Sequence, residues 1–445
     1  MSGFVLNFYS ALMWLAQPLL RKKMAKRALM EPGYGEQVAE RFGRYTQPVE
    51  KASELVWLHA VSLGETRTAA VLLKALRQRH PGLRVLLTHG TATGRAEGRA
   101  LLEPGDIQVW QPWDTRAVVD KFFEHFKPRL GLLMETEVWP CAVAAAKLRG
   151  MPLVLVNGRL SDKTVQQAVR MSALSLPTYG ALTAVFAQTA ADAKRYRQLG
   201  VDVKQVLGNL KFDAAPSADL QATGKSWRQA FAQPVVLFAS SRDGEEALFL
   251  HQIKVVAQEK RALAATEFIV SNVSQNSAVK YLIVPRHPQR FDEVVALVAQ
   301  HGLTVSRRSS WQGSPTENNE AMAADVWLGD TLGEMPLYYA LSDVALLGGS
   351  FEKLGGQNLI EAAACGCPVV MGPHTFNFLE AAELAEAVGA AQRVATMAEA
   401  VSWAHRLAQD GEARTRMSQA ALAFAATHQG AAERTVNALA VYLAR

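Results

Sequence analysis

From residue 55 onward, short apolar runs alternate with longer stretches whose apolar positions recur every three or four residues. The runs 55–61 (LVWLHAV), 83–91 (LRVLLTHGT), 107–112 (IQVWQP), 128–134 (PRLGLLM), 152–158 (PLVLVNG), 184–189 (AVFAQT) and 203–208 (VKQVLG) read as strands. Between them lie segments such as TRTAAVLLKALRQRH, with the spacing of an amphipathic helix. A polar, small-residue stretch, 211–231 (KFDAAPSADLQATGKSWRQAF), reads as a hinge. A second series follows at 234–241 (PVVLFASS), 281–287 (YLIVPRH), 303–308 (LTVSRR), 325–330 (DVWLGD), 343–349 (DVALLGG) and 368–373 (PVVMGP). This alternation predicts an α/β chain of two Rossmann-like domains with parallel sheets. Ligands are expected in a cleft between them, at the carboxyl ends of the strands. No internal repeat and no low-complexity tract interrupts the pattern.

Ahead of the pattern stands a different segment. Residues 4–20 (FVLNFYSALMWLAQPLL) are largely apolar, and 21–27 (RKKMAKR) carry five positive charges and no negative one. The formal net charge is +6, so the rest of the chain is close to neutral. Excess charge confined to one segment argues against a nucleic-acid binder, which spreads it over a domain face. The apolar run is short of the roughly 20 residues that cross a bilayer. Its charges follow it and no small-residue cleavage site appears, so a cleaved signal peptide is not expected. Aromatic residues beside Lys and Arg suit an interfacial or weakly spanning anchor facing anionic lipid on the cytoplasmic side. The plain alternative is an amphipathic helix packed on its own domain. At 445 residues, 49% hydrophobic and 20% charged, the remainder is globular and long enough for two large domains. The three cysteines, Cys141, Cys365 and Cys367, have neither disulfide-framework nor metal-site spacing and read as buried small residues.

Candidate chemistry gathers at strand ends. The GKS of 224–226 is not a phosphate loop, because Asp219 stands where that motif needs glycine. G-x-G-x-x-G, G-x-S-x-G, H-E-x-x-H and Asp-x-Asp are all absent. The stretch 348–378 (GGSFEKLGGQNLIEAAACGCPVVMGPHTFNF) joins a strand to a helix through a glycine-rich loop. Asn358 suits an N-cap there, and Glu361 suits either ribose hydroxyls or the cap itself. Nucleotide binding and ordinary βα turn chemistry both fit this stretch. Glu65, in HAVSLGET, opens a helix straight after a strand; it is placed either as a general base or as an acid complementing the helix dipole. Glu135 and Glu137 of METEVWP follow the next strand but two, and Lys211 of GNLKFD precedes the hinge, where a lysine can stabilise a departing phosphate. In the second series, Arg286 and His287 of PRHPQRF and Gly333 and Glu334 of GDTLGEMP again sit at strand ends. Caps or solvated charges account for any one of these taken alone.

HAVSLGET, ETEVWP, NGRLS, GNLKFD, PRHPQRF, GDTLGEM, GGQNLIEA and MGPHTFNF occur in this order along nearly the whole chain, and with them it resembles the Kdo (3-deoxy-D-manno-oct-2-ulosonic acid) transferases. The resemblance implies a GT-B fold, a CMP-Kdo donor, a lipid A precursor as acceptor, and a place at the cytoplasmic side of the inner membrane. It implies an acceptor-binding domain over 28–215 behind a membrane-associating segment 1–27. A CMP-sugar-binding domain then covers 216–445, with terminal helices able to return to the first domain. No metal, cofactor or nucleic-acid partner is expected. Glu65 resembles the family's proton acceptor, and Glu135 and Lys211 match positions that support the transition state. Arg286, His287, Leu332, Gly333, Glu334, Asn358, Leu359, Ile360 and Glu361 match CMP-binding positions. Gln357 replaces a frequent histidine, and Ser240, Ser241, Arg242 and Asp243 replace the Ser-Thr-His run before Gly-Glu-Glu. Residues 261–277 are longer than the family's usual connection and have no functional reading. A transferase of another nucleotide sugar and an inactive lipid-binding relative are the competing readings.

Overall fold

The computed structural model describes residues 3–51, 54–266 and 279–444. The chain forms two compact units, Met1–Ala214 with His428–Arg445, and Ala215–Thr427. In the first unit seven parallel strands form one sheet: β1 (Val56–His59), β2 (Val85–His89), β3 (Ile107–Trp110), β4 (Leu130–Met134), β5 (Leu153–Gly158), β6 (Ala184–Ala187) and β7 (Val203–Val206). Their order is β3-β2-β1-β4-β5-β6-β7, so the winding reverses between β1 and β4. Both faces are covered, which is why β1, β2, β4 and β5 are buried throughout and read as continuous apolar runs, without alternation. One face packs Phe122 and Phe126 of the helix Arg116–Phe126 against Trp57 and Leu86. The other packs Leu72, Leu73 and Leu76 of the helix Leu63–Arg79 with Leu439 and Leu443 of the last helix, Ala431–Leu443. Each such side chain contributes about 1.5–3 kcal/mol by leaving water.

The second unit repeats the plan with β8 (Val235–Ser241), β9 (Lys280–Pro285), β10 (Val305–Arg307), β11 (Val326–Leu328), β12 (Val344–Leu347), β13 (Val369–Met371) and β14 (Ala391–Arg393), all parallel, in the order β10-β11-β9-β8-β12-β13-β14. Here the winding reverses at β8. All thirteen expected strands are present. The fourteenth, β14, escaped the sequence because Ala-Gln-Arg carries no apolar run.

The two units part between Ala214 and Ala215, inside the expected hinge, although most of that stretch is structured. Within 211–231, a 3₁₀ turn covers Leu210–Asp213, and Ser217 caps a thirteen-residue helix, Ala218–Ala230. Polarity misled because this helix buries only Gly224 fully. A Cβ on Gly224 would stand 2.4 Å from the Leu337 carbonyl oxygen and 2.8 Å from Cβ of Ala340, so glycine lets the helix lie directly on the helix Met335–Leu341. That packing explains the GKS sequence without any phosphate. Of the stretch 261–277, residues 261–266 close the helix Glu245–Thr266, and the rest lies outside the described residues.

The N-terminus forms two helices, Gly3–Leu15 and Gln17–Ala28, bent by 45° at the break before Pro18. Among the described residues no single helix is long and apolar enough to cross a membrane, although this bent pair is by length and composition. Polar contacts dock the first helix on its unit. Trp113 Nε1 donates to the Met13 carbonyl at 2.7 Å, and Arg116 reaches Ser10 and Asn7. Phe4, Phe8, Leu12, Trp14 and Leu15 are left on the outside.

Candidate active site

Two sets of strand-end residues stand out, one in each unit. In the first, the reversal of winding brings the turns after β1 and β4 next to each other. Ser62 caps the helix Leu63–Arg79 by accepting the Glu65 N–H, and its hydroxyl donates back to Glu65 Oε1 at 3.2 Å. The Val61 N–H donates to Oε2 at 2.7 Å. The acid is therefore tied into the helix start, as the dipole reading expected, and also held at the carboxyl edge of the sheet. Burial raises its pKa most; Val61 opposes that, and the Glu135 charge adds to it.

Glu135 leaves β4 with φ of 55°, a left-handed conformation that is strained for a residue with a Cβ. Its side chain is 4% exposed and lies between two cations: Arg159 Nε is 2.9 Å from Oε2 and Lys211 Nζ is 3.0 Å from Oε1. Asn157, also left-handed at φ of 54°, accepts the Leu210 N–H on its side chain and so seats the turn that carries Lys211. Tyr196 donates to the carbonyls of both Glu135 and Arg159, at 3.3 and 3.0 Å. Glu137 accepts from Trp139 Nε1 at 3.0 Å, and burial together with the Glu65 charge pushes its carboxyl up to about 7. It faces a cavity of ≈ 340 Å³ bounded by Tyr9, Trp139, Met171, Leu174 and Tyr179. Three carboxylates and two cations thus share one sheet edge. Such a group can take up a proton and stabilise developing charge. Arg159 was not singled out from the sequence; its signal was the NGRLS motif after β5.

In the second unit, Arg286 and His287 follow β9. Burial lowers the pKa of His287, and so do the neighbouring charges of Arg242, Arg286 and Arg290. Leu332 is exposed, and Gly333, at φ of +82°, has open space where a side chain would go. Glu334 accepts from Arg308 at 3.0 Å, from Tyr338 at 3.2 Å and from Thr331. Asn358 caps the helix Leu359–Ala364 by accepting the Ile360 N–H at 3.0 Å. Leu359 and Ile360 are buried, so their side chains belong to the core, and Glu361 stands in the first turn. The glycine-rich loop after β12 holds an anion of its own. Glu245, fully buried, accepts the N–H groups of Gly349, Phe351 and Glu352. That carboxylate takes the first part of the loop and not the glycines just before Asn358.

Comparison with known proteins identifies the family and the fold. Residues 36–214 match the model of the 3-deoxy-D-manno-octulosonic-acid transferase (kdotransferase) family. The 3-deoxy-D-manno-octulosonic acid transferase of Bordetella pertussis is 45% identical over 435 residues, 96% of each chain. That of Haemophilus influenzae is 30% identical, covering 98% of this chain and 99% of the other. The structure of Anabaena Alr3699/HepE in complex with UDP aligns over 88% of this chain and 99% of its own, with a TM-score of 0.55 and 14% identity. That similarity is one of fold, and it is the GT-B glycosyltransferase fold.

Proposed function

Because this chain belongs to the 3-deoxy-D-manno-octulosonic acid transferase family, we propose that it moves Kdo from CMP-Kdo to a hydroxyl of a lipid A precursor, with inversion and without a metal. The observation that carries the reading is the carboxylate group at the β1–β4 edge: Glu65 stands beside Glu135, which is itself held between Arg159 and Lys211. Glu65 removes the acceptor proton. Its raised pKa makes it a stronger base than an exposed glutamate while the Val61 N–H keeps it oriented. The bond from the anomeric carbon to the CMP phosphate breaks as the acceptor oxygen attacks from the opposite face. An oxocarbenium-like sugar gains from a fixed carboxylate nearby, and Glu135 supplies one whose position the two cations hold. Lys211 is assigned to supporting the transition state beside Glu135, and in the second unit the arginines beyond β8 and β9 offer positive charge to the phosphate of the donor. In the second unit, Gly333, Glu334, Asn358 and Glu361 are assigned to the donor.

The outward apolar face of the first helix and the exposed Arg21, Lys22, Lys23, Lys26 and Arg27 support contact with an anionic membrane, where a lipid acceptor resides. We assign the chain to the cytoplasmic face of the inner membrane on this ground. The cavity beside Glu137 reaches the same helix through Tyr9 and offers room for an apolar part of the acceptor.

Mass spectrometry of the product from CMP-Kdo and a tetraacylated disaccharide acceptor tests the reaction; a product without added Kdo, or release of a nucleotide other than CMP, refutes it. Glu65→Ala tests the base. Transfer should fall about 10²–10⁴-fold while CMP still binds, and near-normal turnover would remove Glu65 from the mechanism.

A further inference from the structure

We propose that Arg242 is an anion-binding residue of the donor site, held in place by the carboxylate of Glu245; this rests on the reading of the second unit as the CMP-Kdo side. β8 ends at Ser241, in register with Pro285 at the end of β9. The Arg286 N–H donates to the Ser241 carbonyl at 3.0 Å, so Arg242 and Arg286 leave neighbouring parallel strands side by side. On its other flank, Cγ of Arg242 lies 3.6 Å from where a Cβ of Gly349 would stand, which lays the arginine stem against the glycine turn after β12. The ends of β9, β8 and β12 therefore meet around one side chain, at the point where the winding of the sheet reverses.

Glu245 fixes this arrangement. One of its oxygens accepts the N–H groups of Arg242 and Gly349, at 3.0 and 2.7 Å; the other accepts those of Phe351 and Glu352, at 3.1 and 3.4 Å. A buried carboxylate with four donors is a satisfied one, and here it ties the turn after β8 to the turn after β12. Two consequences follow for a bound anion. These four backbone groups are already spent, so at this turn the ligand is met by the Arg242 side chain. And the nearby acids cannot neutralise Arg242: Glu245 serves the backbone, while Asp243, Glu246 and Glu293 all pair with Arg290. Among the described residues no acidic side chain pairs with Arg242. A half-buried guanidinium beside Arg286 and His287, with no carboxylate of its own, is suited to an anionic ligand, and its planar fork can grip two oxygens at once. The donor offers two such groups, the phosphate of CMP and the carboxylate of the sugar acid.

The test uses the full chain, with CMP binding measured by calorimetry and donor KM and kcat measured with CMP-Kdo. Arg242→Gln should raise the donor KM about tenfold, equivalent to about 1.4 kcal/mol, with kcat changed far less. Arg242→Lys, which keeps the charge but loses the fork, should recover part of that loss. Glu245→Gln, which turns an amide N–H toward backbone donors, should raise the same KM even though Arg242 is intact. If CMP affinity falls in parallel, Arg242 meets the phosphate; if CMP binds normally and only the donor KM rises, it meets the sugar carboxylate. An Arg242→Gln protein with unchanged donor KM and unchanged CMP affinity overturns the inference while leaving the transferase reading intact. Failure of the unmodified chain to bind CMP overturns both.

Discussion

At the scale of single residues, the candidate site shows how one side chain can satisfy two descriptions. Glu65 is a helix-start acid, hydrogen-bonded to Val61 and Ser62, and it is also the carboxylate whose pKa burial and Glu135 raise. Glu137 sharpens the point, since its carboxyl titrates at about 7. Below that pH Glu137 is neutral, and it is the charge of Glu65 that helps to hold its proton on. Glu65→Gln removes that charge, so the Glu137 carboxyl should titrate at lower pH, as carbon-13 NMR of labelled glutamate carboxyls would register. An unmoved Glu137 titration would mean that the two acids do not share one site. Sequence spacing pointed to Glu65, Glu135 and Lys211 because each follows a strand. Arg159 follows β5 in NGRLS in the same way, but its pairing with Glu135, distant in sequence, leaves no local trace.

At the scale of elements, the strands and the amphipathic helices between them were legible, and the polar connection between the two series was not. Strands buried on both faces must be apolar throughout, and that composition survives in any single sequence. A polar helix that packs through one glycine leaves almost none, and so Ala218–Ala230 was mistaken for a hinge. Gly224→Ala should therefore cost about 1–3 kcal/mol, because the added methyl meets a backbone oxygen and a neighbouring Cβ with no flexible atoms to give way. Differential scanning calorimetry would register a lowered midpoint; an unchanged one would mean the two helices are not in close contact. The glycine-rich loop is the counterpart case. Its first part, Gly349, Phe351 and Glu352, donates to Glu245, which lies far upstream, whereas Gly355 and Gly356, just before Asn358, do not contribute to that carboxylate.

For the molecule as a whole, the most unusual surface is the first helix, which turns its polar groups to Trp113 and Arg116 and its apolar ones to solvent. Replacing Phe4, Phe8 and Leu12 together by serine should leave the thermal midpoint unchanged, since these side chains are exposed, and should lower cosedimentation with anionic phospholipid vesicles at least tenfold. Each apolar side chain withdrawn from the lipid boundary forgoes on the order of 1 kcal/mol or more. Undiminished vesicle binding, or none by the unmodified chain, would overturn the proposed membrane contact of this helix. The division into units is likewise decided by packing: residues 428–445 count with the first unit because Val436, Leu439 and Leu443 share a core with Leu72 and Leu73.

Sequence alone determined the α/β class, the thirteen apolar strands, the family, and the strand-end acids and bases that make up most of the candidate site. Those features are written locally, in runs of apolar residues and in short motifs at their ends. Only the tertiary structure decided that Glu135 is clamped by Arg159 and Lys211, that Glu245 ties down the start of the glycine-rich loop, and that Arg242 stands beside Arg286 with the nearby acids committed elsewhere. The reason is that each of these is a distance between segments brought together by the winding of a sheet, and a parallel sheet makes neighbours of strands that the sequence keeps far apart.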